Sequence, residues 1–264
     1  MLAPLELLWQ EEPALARGWP SLAVLNRLAR RRGVVTAAGR PVTFVPPLGR
    51  RVRFEDGYEQ RIFLGGAAET RAGSWHDVLN AFAWCLFPRA KAALNARHYE
   101  VLEGDRRAGG PPGAGRGRLR DALTLLDESG VVVACAEPPL ADLLRERRWK
   151  ALFWDQRANV ARGMRFLLLG HGLMEKALAP FVGMTGHGVV VLLPGAALTL
   201  PHGELLARLD AALVATLVAT TGEALRGALT PVPVLGVPDW SERAGDERFY
   251  DVTSYFRPPR AAVA

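Results

Sequence analysis

The chain predicts an α+β fold, a single compact domain over residues 1–264 in which antiparallel hairpins pack against helices, and three observations lead there. Apolar residues recur at three- and four-residue spacing in some stretches and at two-residue spacing in others, and the two kinds of stretch fall in separate runs instead of alternating as in a doubly wound sheet. Hydrophobic side chains make up 49% of the 264 residues, enough for a core without disulfide or metal staples. No repeat with a period of roughly 20 to 50 residues interrupts this organisation.

The elements follow in order. Ser21 caps a helix over 21–32, whose stripe is Leu22, Leu25 and Leu28 and which Gly33 ends. The basic run 30–32 then compensates the negative end of the helix dipole. Short β-type runs occupy 41–64, with Asp56-Gly57 as the turn of a hairpin between 51–54 and 58–64. Ser74-Trp75-His76-Asp77 has the form of a capping box at the start of a helix, and Pro88 begins or kinks a second one along which Lys91, Asn95 and His98 line up. The Gly/Pro/Arg stretch 104–117 reads as a mobile surface loop. Residues 118–136 read as a hairpin with Leu119, Leu123 and Leu125 on one face and Glu128-Ser129-Gly130 as its turn. A helix is expected over about 139–154 and another in the second half of 164–182, where 165–169 fits strand or helix. A buried strand over 188–193, a long helix over 204–220 and an extended, proline-rich tail from 231 complete the chain.

The formal charge is +6, yet only Lys91, Lys150 and Lys176 of the 33 basic side chains are lysines, a bias that GC-rich coding produces. The arginines are scattered except at 30–32, 50–53 and 106–120, so specific nucleic-acid binding is not supported. The excess positive charge, and the face Arg116, Arg118 and Arg120 in particular, favours an acidic partner, a small acidic or phosphorylated ligand. Cys85 and Cys135 lie in apolar segments, and MLAPLELLWQEEP carries acid where a secretory signal has base, so a reducing cytoplasm is expected. The apolar stretches 188–200 and 205–220 are broken by Pro194 and by Arg208 and Asp210, and no membrane partner follows from them.

Candidate chemistry lies where polar residues occupy positions that the local pattern marks as buried. His76 and Asn80 share a helix side with Trp84 and Phe87 and need partners there, either as a structural pair or as the lining of a pocket. Asp121, on the apolar side of the expected hairpin, costs several kcal/mol unless an arginine or a metal pairs it. His171 and Glu175 stand one helical turn apart, a spacing that holds a metal or makes an ordinary exposed pair, and His187 could add a ligand. Asp127 and Glu128 flank a turn, where acids need no special explanation. Gly170-x-Gly172 lacks the third glycine of a dinucleotide loop, and G-x-S-x-G, Walker A, HExxH and CxxC are absent. Two functions are therefore expected. One is metal-assisted hydrolysis, with His76, Asn80 and Asp121 catalytic, a divalent metal on His76, Asp121, His171 and Glu175, and a phosphoester drawn by arginine and Lys91. The alternative is a non-catalytic binding or scaffold protein whose buried His/Asn/Asp network fixes the fold.

Thr70-Arg71, then Trp75-His76-Asp77-x-x-Asn80-Ala81-x-x-Trp84-x-x-Phe87-Pro88-x-x-Lys91-x-x-Leu94-Asn95, then Arg120-Asp121-Ala122-Leu123-Thr124-Leu125-x-Asp127-Glu128 carry a resemblance. With Gly170-His171-x-x-x-Glu175, Gly236-Val237-Pro238-x-Trp240 and Phe249-Tyr250-Asp251, nearly the whole chain resembles the bacterial domain-of-unknown-function three-zero-two-five family. That resemblance implies one domain in a soluble bacterial protein and assigns no reaction, cofactor or partner.

Overall fold

The computed structural model describes residues 1–49, 53–109 and 117–258, and the α+β class holds. Helices α1 (Glu6–Glu11) and α2 (Leu22–Arg31) open the chain. Ser21 Oγ accepts from Val24 N at the start of α2, and Gly33 leaves its end at φ +59°, a left-handed turn that favours glycine. Arg32 ties that end to Glu11 and, at 3.0 Å, to the Cys85 carbonyl.

Over 41–64 the described residues form no hairpin. Strand β1 (Thr43–Val45) is followed by a 3-10 turn at Phe54–Asp56 and by α3 (Tyr58–Gly65), and β1 pairs in parallel with β2 (Ala67–Glu69). Arg51 and Val52 of the expected first strand lie outside the described residues. The Asp56-Gly57 pair ends one helical turn and starts the next, because Gly57 N donates to the Phe54 carbonyl while its own carbonyl accepts from Arg61 N. Ile62 then buries against the core at the four-residue spacing from Tyr58.

Helices α4 (Trp75–Leu86) and α5 (Pro88–Arg107) form the centre of the molecule. Ser74 caps α4 as expected, its hydroxyl accepting from Asp77 N and acting on the side chain of Asp77 as well. The Asp77 carboxylate takes the backbone N–H and the guanidinium of Arg71 at 2.7–2.8 Å, fixing the approach to α4. Phe87 has no side chain able to cap α5, and Asp210 caps it from a distant helix, accepting from Arg89 N at 3.0 Å and Ala90 N at 2.8 Å. Of the expected loop 104–117, residues 104–107 belong to α5 and 110–116 lie outside the described residues.

The second expected hairpin is also helical in its first arm: α6 (Arg118–Ser129) runs directly into β3 (Gly130–Cys135). Ala122, Leu123 and Leu126 are its buried residues, with Leu119 packed beside them, and that spacing is helical. The helix expected over 139–154 is α7 (Pro138–Arg145) followed by a π-helical turn at Ala151–Asp155 and by α8 (Arg157–Gly163). Next come β4 (Met164–Leu168), α9 (His171–Lys176), β5 (Thr185–Leu192), α10 (His202–Ala219), α11 (Gly222–Ala228) and β6 (Thr230–Pro233). The sheet order is β4-β3-β5-β6, with β3 parallel to β5 and antiparallel to β4. Every residue of β3 is buried, as expected of a strand covered on both faces. The tail from 231 is not extended: after β6 it folds into 3-10 turns, because Tyr250 and Tyr255 donate their hydroxyls to the carbonyls of Gly236 and Met184 and cluster with Phe249 and Phe256. Among the described residues no helix is long and apolar enough to cross a membrane.

Candidate metal centre

The antiparallel pairing of β3 with β4 places the start of one strand beside the end of the other, with Val131 opposite Leu168. The chain segments just outside this junction therefore meet. Glu128 lies in the last turn of α6 two residues before β3, and His171 opens α9 two residues after Leu169, whose N–H and that of Gly170 both donate to the Gly130 carbonyl. Two glycines make the approach close. A Cβ on Gly170 would stand 2.4 Å from Ser129 N and Gly130 N, and one on Gly172 would stand 2.5 Å from the Glu128 carboxylate. Gly170-x-Gly172 thus serves backbone packing. Helix α4 lies against α9 and brings His76 to the same point.

Three ligand-type atoms converge there. His76 Nε2 and His171 Nε2 are 3.0 Å apart, and Glu128 Oε1 is 3.7 Å from the first and 3.5 Å from the second. Among the described residues, His76, Glu128 and His171 are the group of histidines, cysteines and acids able to hold one metal ion. Each imidazole has a carboxylate behind it: Glu175 Oε2 at 3.0 Å from His76 Nδ1, and Asp127 Oδ2 at 3.8 Å from His171 Nδ1. Glu175 at hydrogen-bond distance favours the His76 proton on Nδ1, which leaves the His76 Nε2 lone pair facing His171 and Glu128. Burial lowers the His171 pKa to about 4, so that this ring is neutral at physiological pH, and burial raises that of Glu128. His171 Nδ1 is buried without a hydrogen-bond partner.

Behind these groups lies a second, deeper cluster. Lys91, 3% exposed, forms an ion pair with Asp127 and donates to Asn80 Oδ1 at 2.9 Å, and Asn80 donates to the Tyr58 hydroxyl at 2.7 Å. The Lys91 ammonium also lies 5.6 Å over the Trp84 ring. Burial alone would raise Asp127, but Lys91 and then His171 hold its carboxyl down to about 2. Asn95 donates to Glu59 at 2.7 Å, and burial raises the Glu59 pKa. Lys91, Asn95 and His98 do share one face of α5, as their spacing predicts. A cleft of about 480 Å³ reaches both clusters, lined among others by His76, His171, Glu128, Tyr58, Glu59, Asn80 and Arg71.

Four residues singled out from the sequence, His76, Asn80, His171 and Glu175, meet at this place. Asp121 does not join them. It lies in the first turn of α6, about 9 Å along the axis from Asp127, and is absent from the cleft lining because a helix, unlike the expected strand, turns it away from Leu123. His187, on β5, bonds Ser129 Oγ at 2.9 Å instead. Glu128 and Asp127 were hidden by the hairpin expectation. As the last turn of a helix their positions face α9.

No curated protein and no solved structure matches the chain. The model of one family, described as Protein of unknown function (DUF3025), matches residues 42–260, a span that contains every residue of both clusters, and the chain belongs to that family.

Proposed function

We propose that the protein is a metal-dependent hydrolase whose divalent cation is held by His76, His171 and Glu128. The observation that carries this reading is the convergence of two imidazole Nε2 atoms and one carboxylate oxygen, each imidazole backed by its own acid. Two histidines and one carboxylate leave positions open for water and substrate, as in catalytic zinc sites and non-haem iron sites. Charge balance supports a cation as well. Asp127 is matched by Lys91 and Asp77 by Arg71, whereas among the described residues the groups within ion-pair distance of Glu128 and Glu175 are imidazoles, with Lys91 and Arg71 acting on them from farther away.

A divalent cation supplies Lewis acidity and makes water a nucleophile near neutral pH. The protein's own part is orientation: Glu175 holds the His76 proton on Nδ1, and Asp127 faces His171 in the same sense. Asn80, counted among the catalytic candidates, lines the cleft and ties Lys91 to Tyr58. Lys91 is buried and engaged by Asp127 and Asn80, so among the described lining residues Arg71 is the lysine or arginine a phosphoryl group would meet.

The alternative, a purely structural network, is favoured for the deeper cluster, where protein groups satisfy one another. Elemental analysis separates the two. The hydrolase reading expects one zinc, manganese or iron per chain, lost in His171→Ala and Glu128→Ala while the circular dichroism spectrum is kept, and cation-dependent turnover within a panel of chromogenic esters and amides. A protein that takes up no cation, or keeps it in both variants, contradicts it.

A further inference from the structure

The network behind the metal centre closes around Lys91 and stays open where α3 packs against α5. Three polar groups meet there. Asn95 donates to both the Glu59 carbonyl, at 3.0 Å, and Glu59 Oε2, at 2.7 Å, and these two acceptors fix which end of the amide is Oδ1. Asn95 is 3% exposed, and its Oδ1 is buried without a partner. The ring of His98, three residues farther along the same face of α5, is buried and makes no hydrogen bond among the described residues. Glu59 lies in the first turn of α3, where the helix dipole favours a carboxylate. It is met by the neutral Asn95 amide, and no lysine, arginine or histidine among the described residues stands within ion-pair distance of it. His98 and Lys91 act on it from farther away. All three groups line a hollow of about 10 Å³, which shares Tyr58, Glu59, His98 and Asp127 with the cleft.

The chemistry of these groups selects a ligand. An amide oxygen and a carboxylate only accept, and a neutral imidazole accepts at its unprotonated nitrogen. A group that answers all of them needs several N–H donors and asks for none in return, which describes a primary ammonium. Charge points the same way. Of the carboxylates lining the cleft, Glu69 is paired with Arg61, Asp77 with Arg71 and Asp127 with Lys91, and Glu128 faces the imidazoles, which leaves Glu59. Burial raises the Glu59 pKa, a cost to the ionised form that a cation beside it offsets. Size agrees as well. The hollow takes roughly one group as large as a water, which admits a primary ammonium and excludes a trimethylammonium. We propose that Glu59, Asn95 and His98 form a subsite for the primary ammonium group of a ligand whose remainder lies in the cleft. Joined to the hydrolase reading, on which this second step rests, the subsite makes the substrate an ester or amide that carries a free primary amine. Water adds to its carbonyl carbon, the bond to the leaving oxygen or nitrogen breaks, and the leaving group takes the proton.

Fluorine NMR on the full chain, treated with EDTA, tests the subsite apart from the metal centre, with para-fluorobenzylammonium as the probe. Its signal should broaden saturably with the parent protein and with His171→Ala alike, because the amine does not need the ion. The corresponding alcohol, which lacks the charge, and the trimethylammonium analogue, which keeps the charge but has no N–H, should each bind at least about tenfold more weakly. Glu59→Gln should weaken the ammonium by a similar factor with an unchanged circular dichroism spectrum. An ammonium probe that stays free, that binds no better than the other two, or that binds Glu59→Gln as well as the parent protein overturns the subsite. So does a crystal soaked in the probe that shows a water alone between Asn95 Oδ1 and Glu59. Each of those results leaves the metal reading standing, and a protein that binds the ammonium but takes up no cation leaves the subsite standing. With zinc bound, esters and amides bearing a free primary amine should turn over at least about tenfold faster than their N-acetyl counterparts, and equal rates overturn the substrate class.

Discussion

The inner and outer halves of the polar site are built from the same residue types and differ in who satisfies them. In the inner half Lys91 answers Asp127, Asn80 joins Lys91 to Tyr58, and Asn95 meets Glu59, all within the protein. In the outer half two imidazole nitrogens and a carboxylate face one another, and the remaining carboxylate, Glu175, stands behind the His76 ring. In the inner arrangement each charge is answered within the protein, and Asn95 Oδ1 alone of the groups named is buried without a partner. The outer one would be finished by the divalent ion proposed above, and the inner half holds Asp127 ionised 3.8 Å behind His171 Nδ1.

This difference is broken most severely from the inside. Lys91→Met leaves the Asp127 carboxylate buried without its cation and should cost about 3–5 kcal/mol of stability, read by urea unfolding. Acid should act on the same pair. With its pKa held down to about 2, Asp127 contributes stability in full above the ordinary aspartate range near 3.8 and loses it as pH falls through about 2. Asp127→Asn should flatten that acid limb of the stability curve. The outer half should respond to a ligand instead. Zinc at about a hundred times its dissociation constant should stabilise the protein by about 2.7 kcal/mol, and His76→Ala and His171→Ala should abolish that shift in the melting curve without unfolding the apoprotein. Glu175→Gln, which loosens the His76 ring but removes no ligand, should lower zinc affinity by about 10- to 100-fold in a competitive chelator titration. Smallest is an effect outside both halves: Asp210→Ala uncaps α5 and should cost about 1–2 kcal/mol in the same urea assay.

Much of this was legible before any coordinates. Ser21 and Ser74 as caps, Gly33 as a stop and Pro88 as a start depend on local chemistry, and all four hold. His76 and Asn80 stood out because the helix from Trp75 is apolar on every side, and residues 77–86 are indeed all buried. His171 and Glu175 were paired by helical spacing alone. The misreadings share one cause. Leu123-x-Leu125 imitates strand alternation, while Leu119, Ala122, Leu123 and Leu126 fit a helix over a longer window and bury accordingly. Reading the short pattern first made Asp121 an inward carboxylate and left Asp127 and Glu128 as turn residues, when the helix does the reverse. Asp56-Gly57 misled in the same way, since the dipeptide favoured in tight hairpins also serves between two helical turns. Contacts between distant segments, such as Asp210 capping α5 or Glu128 meeting His171, have no local signature at all.

The central claim is that the two imidazoles and Glu128 enclose one cation. It is tested most directly by anomalous X-ray diffraction at the zinc edge, on crystals grown with zinc. A single strong peak is expected within about 2.0–2.2 Å of His76 Nε2, His171 Nε2 and a Glu128 carboxylate oxygen. Density for a water hydrogen-bonded between the two rings, with zinc absent or held elsewhere on the surface, would contradict it.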